Sequence, residues 1–373
     1  MKILIAGDFC PKHRVADLLD RGEFDKVLGD VIQIIGQSDY SMVNFECPVC
    51  QGDEKPIEKL GPNLKCSEKG IAAINWAGFN CVTLANNHFL DYGKEGVEHT
   101  LKACEKYSID TVGGGLNLNE ASKILYKEID GKTLAIINCC EHEFSIATDE
   151  TAGSNPLNPI QQYYAIKEAK TKADYVLVIV HGGHEHYQLP SPRMQETYRF
   201  FIDAGSDGVV NHHQHCYSGF EVYKGKPIIY GLGNFLFDNP NKRNGIWNDG
   251  YMVVISFGDP KSPSFKIIPY TQCNEEPKVT LIENEKEFFK NINSLNSTIS
   301  DDYKLKAAHE EMKRKYAKGY QCLLQPYSFR IDKGLYNRGY LPSLVSQKKK
   351  YQILNYLQCE AHLERFIYAV KNL

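Results

Sequence analysis

The sequence predicts an α/β protein built on a largely parallel sheet, with a helical segment appended towards its C-terminal end. Two observations carry this. Over roughly the first 260 residues, short apolar, β-branched runs alternate with stretches of helical spacing, the pattern of strand–helix–strand units around a buried sheet. From about residue 283 the composition shifts to Lys, Glu, Asn, Tyr and Gln with helical periodicity.

In chain order, residues 2–7, 41–45, 80–84, 134–139, 175–180 and 207–210 read as buried strands, because they are too continuously apolar to be half-exposed. Between them, 24–36, 67–77, 94–106, 158–171 and 195–204 read as helices. Phe220-Glu221-Val222-Tyr223 and Pro227-Ile228-Ile229-Tyr230 flank a Lys-Gly-Lys turn and predict a hairpin. Residues 251–257 and 265–269 extend the β-rich part with late antiparallel strands. The expected division is a domain over 1–280 and a helical extension over 281–373, clearest at 301–319 and 349–371.

The 373 residues are 42% hydrophobic and 24% charged, values of an ordinary folded protein. A net charge of -3 lacks the basic footprint of a nucleic-acid binder, so no nucleic-acid partner is expected. No run approaches the roughly 18 apolar residues that span a bilayer. The apolar start Met1 to Ala6 is short and leads directly into Gly7-Asp8, which reads as a first core strand rather than an export signal. A cytoplasmic location with reduced thiols is the expectation. Twelve cysteines are scattered, and Cys81, Cys139 and Cys140 fall inside apolar runs, where cysteine behaves as a small hydrophobe. Cys47-Pro48-Val49-Cys50 is a single CxxC with no second pair, so chance spacing is the preferred reading over zinc or redox work.

Chemistry concentrates where apolar runs end, the place an α/β sheet presents its ligand-binding groups. Asp8 follows the first run and Glu46 the second. Asp after a strand serves as a metal ligand or as a helix cap, and the residue alone does not separate the two. Asn86, Asn87, His88 and Asp91 follow the third run; an amide oxygen there can ligate a metal, and an imidazole that does not ligate can act as general acid. His181, His184, Glu185 and His186 follow Tyr175–Val180, and Asn211-His212-His213-Gln214-His215 follows Val209-Val210. Such imidazole density suits Mn, Fe, Zn or Mg ions together with the carboxylates, and two such ions can activate a water against an ester or amide. Tyr230-Gly231-Leu232-Gly233-Asn234-Phe235 adds small residues and an amide after another run.

Taken in order, Gly7-Asp8, Asn44-Phe45-Glu46, Asn86-Asn87-His88, His181-x-Gly183-x-Glu185, His213-x-His215 and Gly231-Leu232-Gly233-Asn234-Phe235 resemble the CapA family of capsule-synthesis or poly-γ-glutamate-synthesis proteins, over residues 1 to about 240. That family is similar in fold to calcineurin-like metallophosphoesterases, a four-layer αββα sandwich with a two-metal site. The resemblance implies two divalent cations, with Glu46 as bridging carboxylate, Asp8 and His215 at one ion, and Asn87, His181 and His213 at the other. His88 becomes the leaving-group acid, with Asp91 and Glu185 as further catalytic candidates. Asn86, His184, His212 and Asn234 are expected at the substrate. Cys10 stands where the superfamily usually has a histidine, and Gly182 where the family commonly has tryptophan. Asn211 and Gln214 stand where Gly and Pro are common. The implied function is hydrolysis of a phosphoester in capsule, cell-surface polysaccharide or poly-γ-glutamate metabolism. Amide or γ-glutamyl hydrolysis and a non-catalytic, polymer-binding accessory role in capsule assembly are the alternatives. The expected partners are a phosphoester, glycan or γ-glutamyl substrate and capsule-assembly proteins.

Overall fold

The apolar runs become strands in two separate sheets, and chain order explains which strand goes where. β1 (Lys2–Phe9), β2 (Tyr40–Phe45), β3 (Cys81–Thr83) and β4 (Asp110–Val112) lie side by side and parallel. The chain then leaves for a second sheet made of β5 (Leu125–Ile129), β6 (Lys132–Cys140), β7 (Tyr175–His181), β8 (Gly208–His212), β9 (Phe220–Tyr223) and β10 (Lys226–Ile229). Its order is β9-β10-β8-β7-β6-β5, parallel in the middle and antiparallel at both edges. It finally returns to the first sheet. There β11 (Asn234–Leu236) runs parallel to β1 near its end, while β12 (Asp249–Ser256), β13 (Ser264–Gln272) and β14 (Val279–Leu281) add antiparallel to its other side.

This computed structural model describes residues 1–258, 263–326 and 329–358, with positions 362, 363, 366, 367 and 370 beyond them. Three groups of buried side chains show the layering. Ile3, Ile5 and Met42 of the first sheet meet Ile136, Leu177, Ile179 and Val210 of the second, so alternate residues of each strand fill the space between the sheets. The opposite face of the first sheet packs Leu4, Ala6 and Val43 against helices α1 (Arg14–Asp20), α2 (Lys69–Trp76) and α3 (Gly93–Lys106). The outer face of the second sheet packs Val176, Val178 and Val209 against α4 (Pro159–Lys172) and α5 (Pro192–Ala204). The result is the four-layer αββα arrangement. Because both inner strands of each sheet are covered on two sides, their continuous apolar character follows.

Local signals set the helix starts. Asn158 accepts hydrogen bonds from the N–H groups of Ile160 and Gln161 with Pro159 next in line, and Ser191 accepts from Met194 N–H ahead of Pro192, so α5 begins three residues earlier than the expected 195. The helix expected over 24–36 is instead Asp25–Leu28, a tight turn Gly29–Val31 and Ile32–Ile35; Gly29 and the β-branched Val31 and Ile32 weaken a continuous helix there. The hairpin turns at Lys224 and Gly225, both left-handed, as a two-residue hairpin loop requires.

The chain divides into two compact units, Met1–Leu305 and Lys306–Leu373. Helix α6 (Lys286–Ile299), which composition alone placed in the helical extension, belongs to the first unit. Its Phe288 and Ile292 complete the inter-sheet core, and Phe288 packs 4.7 Å from Tyr217. Burial of that apolar stripe, not residue composition, decides where the first unit ends. Helices α7 (Asp302–Leu323), α8 (Arg330–Asn337) and α9 (Gln347–Gln358) follow, and α8 buries no side chain. Most of the expected helix over 349–371 beyond Gln358 lies outside the described residues. Among the described residues, no helix is long and apolar enough to cross a membrane.

Candidate metal centre

Strands from both sheets end at one place. β1 carries a register irregularity between Ala6 and Asp8, which re-aims the residue that follows it. Gly7 makes that possible, because a Cβ there would lie 1.9 Å from the Gly233 carbonyl oxygen. Asp8 N–H donates to the same oxygen at 3.1 Å. The Asp8 carboxylate accepts from Asn44 Nδ2 at 2.8 Å and from His213 N–H at 3.2 Å. Burial raises its pKa to about 7, and those two hydrogen bonds only partly oppose the rise.

Glu46 follows β2, its N–H held by Phe9 O at 3.0 Å. It is fully buried, and among the described residues neither carboxylate oxygen has a hydrogen-bond partner. Burial first, and then the nearby Asp8, push its pKa well above the usual carboxylate range. A buried carboxyl group with both oxygens unsatisfied is costly unless something else meets it.

What surrounds Glu46 is nitrogen. His181 Nε2 lies 3.6 Å and His215 Nε2 3.7 Å from its Oε1. His215 Nδ1 is also 3.6 Å from Asp8 Oδ2, and His213 Nδ1 is 3.1 Å from His181 Nε2. Two triads of buried ligand atoms result, Glu46 with His181 and His213, and Asp8 with Glu46 and His215, each within 4.8 Å of one another. Asn87 Oδ1 joins the first triad, 3.1 Å from His181 Nε2. Burial and the neighbouring imidazoles push the pKa values of His181 and His215 well down, leaving the neutral rings that bind metal. The residues present therefore fit a pair of divalent cations sharing Glu46: the donors are hard carboxylate and amide oxygens with neutral imidazoles, and the bridging position is an otherwise orphaned carboxylate.

Backbone strain collects here as well. His186, His213 and His215 have φ of 60°, 92° and 53°, conformations that non-glycine residues hold only when the surroundings impose them. Asn234 supplies part of that restraint: its Oδ1 lies 2.9 Å from His215 Nδ1, and its Nδ2 donates to His215 O and Trp247 O.

The third strand end builds a different device. His88 Nδ1 lies 2.6 Å from Asp91 Oδ2, and Leu64 N–H donates to the same oxygen at 2.6 Å. Asp91 Oδ1 is taken by the ammonium group of Lys59, which also sits 3.1 Å from His88 Nδ1. All three side chains are buried. Burial, joined by the charges of Lys59 and His213, lowers the His88 pKa against the raising effect of Asp91. Asp91 thus orients His88, through Nδ1, rather than capping a helix.

A cavity of about 280 Å³ opens onto Asn87, His181 and His213, walled by Glu141, Glu143 and Arg193. Glu143 accepts from Asn87 Nδ2 at 2.8 Å and so fixes which end of the amide faces the histidines. A side chain at Gly182 would meet Glu141 at 2.7 Å, which accounts for a glycine there. Asn211 and Gln214 tie loops together, Asn211 Nδ2 to Gly182 O and Tyr230 O, and Gln214 Nε2 to Tyr187 O. Cys10 is buried in the apolar layer beneath α1. Every described cysteine is a free thiol.

Three residues expected at the substrate lie elsewhere. His212 is between the sheets, its Nε2 3.0 Å from Ala6 O, because successive residues at the end of β8 point to opposite faces. Asn86 is consumed by the chain itself, donating to Phe45 O and accepting from His88 N–H. Asn234 holds His215, as described. His184 and Glu185 are exposed on the loop after β7. Sequence reasoning missed Lys59 and Glu143, which sit in irregular segments with no periodicity to single them out. Asn44 belongs to a sequence motif but had no expected role of its own, although its amide joins Asp8 and His181.

Fold and site together define an αββα protein whose two sheets converge on a cluster of buried carboxylates and imidazoles fit to hold metal. The chain belongs to the family of bacterial capsule synthesis proteins (PGA_cap), whose model matches residues 2–239. It is 33% identical over 286 residues to the capsule biosynthesis protein CapA of Bacillus anthracis, covering 74% of this chain and 69% of that one. It is 34% identical over 236 residues to the PGA biosynthesis protein CapA of Bacillus subtilis, covering 62% of each. Among solved structures, a 5'-nucleotidase precursor from Thermus thermophilus superposes with a TM-score of 0.44 at 11% identity, covering 79% of this chain and 57% of that one.

Proposed function

We propose that this protein is a metal-dependent hydrolase acting on a phosphoester in capsule, cell-surface polysaccharide or poly-γ-glutamate metabolism, in the cytoplasm. The observation that carries the reading is Glu46, a fully buried carboxylate without a hydrogen-bond partner among the described residues, shared between two histidine-bearing triads. Asp8, Glu46 and His215 would hold one divalent cation, and Glu46, Asn87, His181 and His213 a second, with manganese, iron, zinc or magnesium all compatible with the donors. Such a pair supplies an activated water and charge stabilisation at the bond under attack.

The chain's own residues supply the rest. In its imidazolium form, which the Asp91 carboxylate at Nδ1 favours, His88 would give its Nε2 proton to the leaving oxygen; Asp91 holds the ring for it and Lys59 holds Asp91. Glu143 keeps the Asn87 amide oxygen towards His181. Burial of Glu46 and Asp8 keeps bulk water from screening the cluster.

One observation favours a second reading on the same site. The Bacillus subtilis relative is a PGA biosynthesis protein, which makes an amide of a γ-glutamyl chain the alternative bond. Metal analysis by plasma mass spectrometry on untagged protein, paired with His213→Ala, tests the site: about two equivalents, reduced in the variant, are expected. Turnover of aryl phosphate mono- and diesters against γ-glutamyl peptides then separates the bonds. Absence of metal after reconstitution would overturn both in favour of an accessory role in capsule assembly.

A further inference from the structure

Two lysines beside the cluster neither hold a cation nor support His88. Lys12, in the loop after β1, lies 5.9 Å from the centre of the Phe237 ring. Lys242 lies 4.0 Å from the centre of the Trp247 ring. Phe237 and Trp247 meet edge to face at 5.1 Å, and both pack on His215, at 5.3 Å and 4.9 Å. The imidazole assigned to one cation thus has two aromatic neighbours, each with an ammonium group on it. Lys242 Nζ is also 2.9 Å from His186 Nε2, and the His186 ring lies 6.2 Å from that of His215.

The neighbouring cations are already satisfied. Arg14 engages both oxygens of the buried Asp238, and Arg243 approaches one of them at 3.0 Å. Among the described residues, neither Lys12 nor Lys242 forms a salt bridge with a carboxylate; the nearest influence of that kind is the longer-range field of Glu185 on Lys242. Partial burial lowers the Lys242 pKa. An ammonium that has given up water without gaining a counter-ion benefits most from an arriving anion. The cavity on the other side of the cluster is walled by Glu143, which repels one, and by Glu141, whose charge Arg193 offsets. Among the described residues, the two uncompensated ammonium groups thus lie on the His215 side and the uncompensated Glu143 carboxylate on the Asn87 side, a distribution that favours an anion beside His215.

We propose that Lys12 and Lys242, with His186, form an oxyanion subsite that holds a second anionic group of the substrate, phosphate or carboxylate, beside the Asp8–His215 half of the cluster. This rests on the hydrolase reading and adds a substrate class to it: a molecule with an anionic group flanking the bond to be broken.

The test uses full-length wild type, Lys12→Met, Lys242→Met and Lys242→Arg, each manganese-loaded and each chelator-stripped. All are titrated calorimetrically with inorganic phosphate and with glutarate, and their manganese content is measured. Stripped wild type is expected to bind at least one of the two anions, with Lys242→Met weakening it by about tenfold, Lys12→Met weakening it in the same direction, and Lys242→Arg staying within about threefold. Preference for phosphate or for glutarate assigns the group. Unchanged affinity in both methionine variants, or no binding of either anion by stripped wild type, overturns the subsite. Wild type that takes up none of manganese, iron, zinc or magnesium overturns the hydrolase reading instead, and the stripped titrations still decide the subsite.

Discussion

Glu46 illustrates what a single residue costs and what it is for. A carboxyl group buried with no donor destabilises the metal-free fold by an amount on the order of several kcal/mol, so Glu46→Gln is expected to raise the melting temperature of the stripped protein and, after reconstitution, to hold less than one equivalent of metal. Calorimetry and plasma mass spectrometry read the two effects, and a variant less stable than stripped wild type would count against the assignment. His215 makes a complementary case. At φ 53° a side chain is strained, so His215→Gly should be about 1 kcal/mol more stable than His215→Ala in urea unfolding, although both lose metal. The ligand types were legible because carboxylates, amides and imidazoles crowded at the ends of buried apolar runs are costly to hold there unless an ion or a hydrogen-bond partner meets them. Direction was not: Asn86, His212 and Asn234 have the same composition signal as their neighbours, and only the two-residue period and local turns decide that they face the chain instead of the cavity. Lys59 lies in an irregular segment, where no pattern ties it to Asp91, 32 positions away.

At the scale of elements, the strands of residues 2–9, 40–45 and 175–181 could be read because buried parallel strands are continuously apolar. Their partition into two sheets could not, since periodicity says that a strand is buried but not by what; that expectation came from the family resemblance alone. β4, β5 and β14 have no counterpart among the expected strands. Helix α6 is the instructive difference. Its polar residues match the tail that follows, yet Phe288 and Ile292 close the inter-sheet core. Phe288→Ala is therefore expected to destabilise the first unit by about 3 kcal/mol in chemical denaturation. A change below about 0.5 kcal/mol, the usual size for an exposed site, would mean that α6 is peripheral after all.

For the molecule as a whole, the site's ionisations set how stability follows pH. Asp8 has a folded pKa of about 7 against an ordinary 3.8. The metal-free fold therefore keeps a proton that the unfolded chain has released, and this contribution to stability declines as pH rises from about 4 to 7. His212 has a folded pKa of about 4 against 6.5. It is neutral in the fold while the unfolded chain is protonated, so its contribution declines as pH falls from about 6.5 to 4. Each amounts to about 3 to 4 kcal/mol at most, and in the stripped protein they oppose one another. A cation shared by Asp8 and Glu46, whose pKa burial also raises, keeps both carboxylates ionised and removes effects of the first kind only. Urea unfolding at pH 7 and pH 5 should accordingly show a larger loss on acidification for manganese-loaded protein than for stripped protein, and equal losses would contradict the assignment of Asp8.

The origin of the two ligand sets has a consequence for how the protein comes apart. Asp8, Glu46 and Asn87 are carried by the first sheet, and His181, His213 and His215 by the second. Neither set can grip an ion until the sheets have docked, so an ion at this junction contributes nothing to the early stages of folding and everything to the last. It would act as a clasp between the two halves of the sandwich, leaving the rate of refolding unchanged while slowing the rate at which the closed molecule opens.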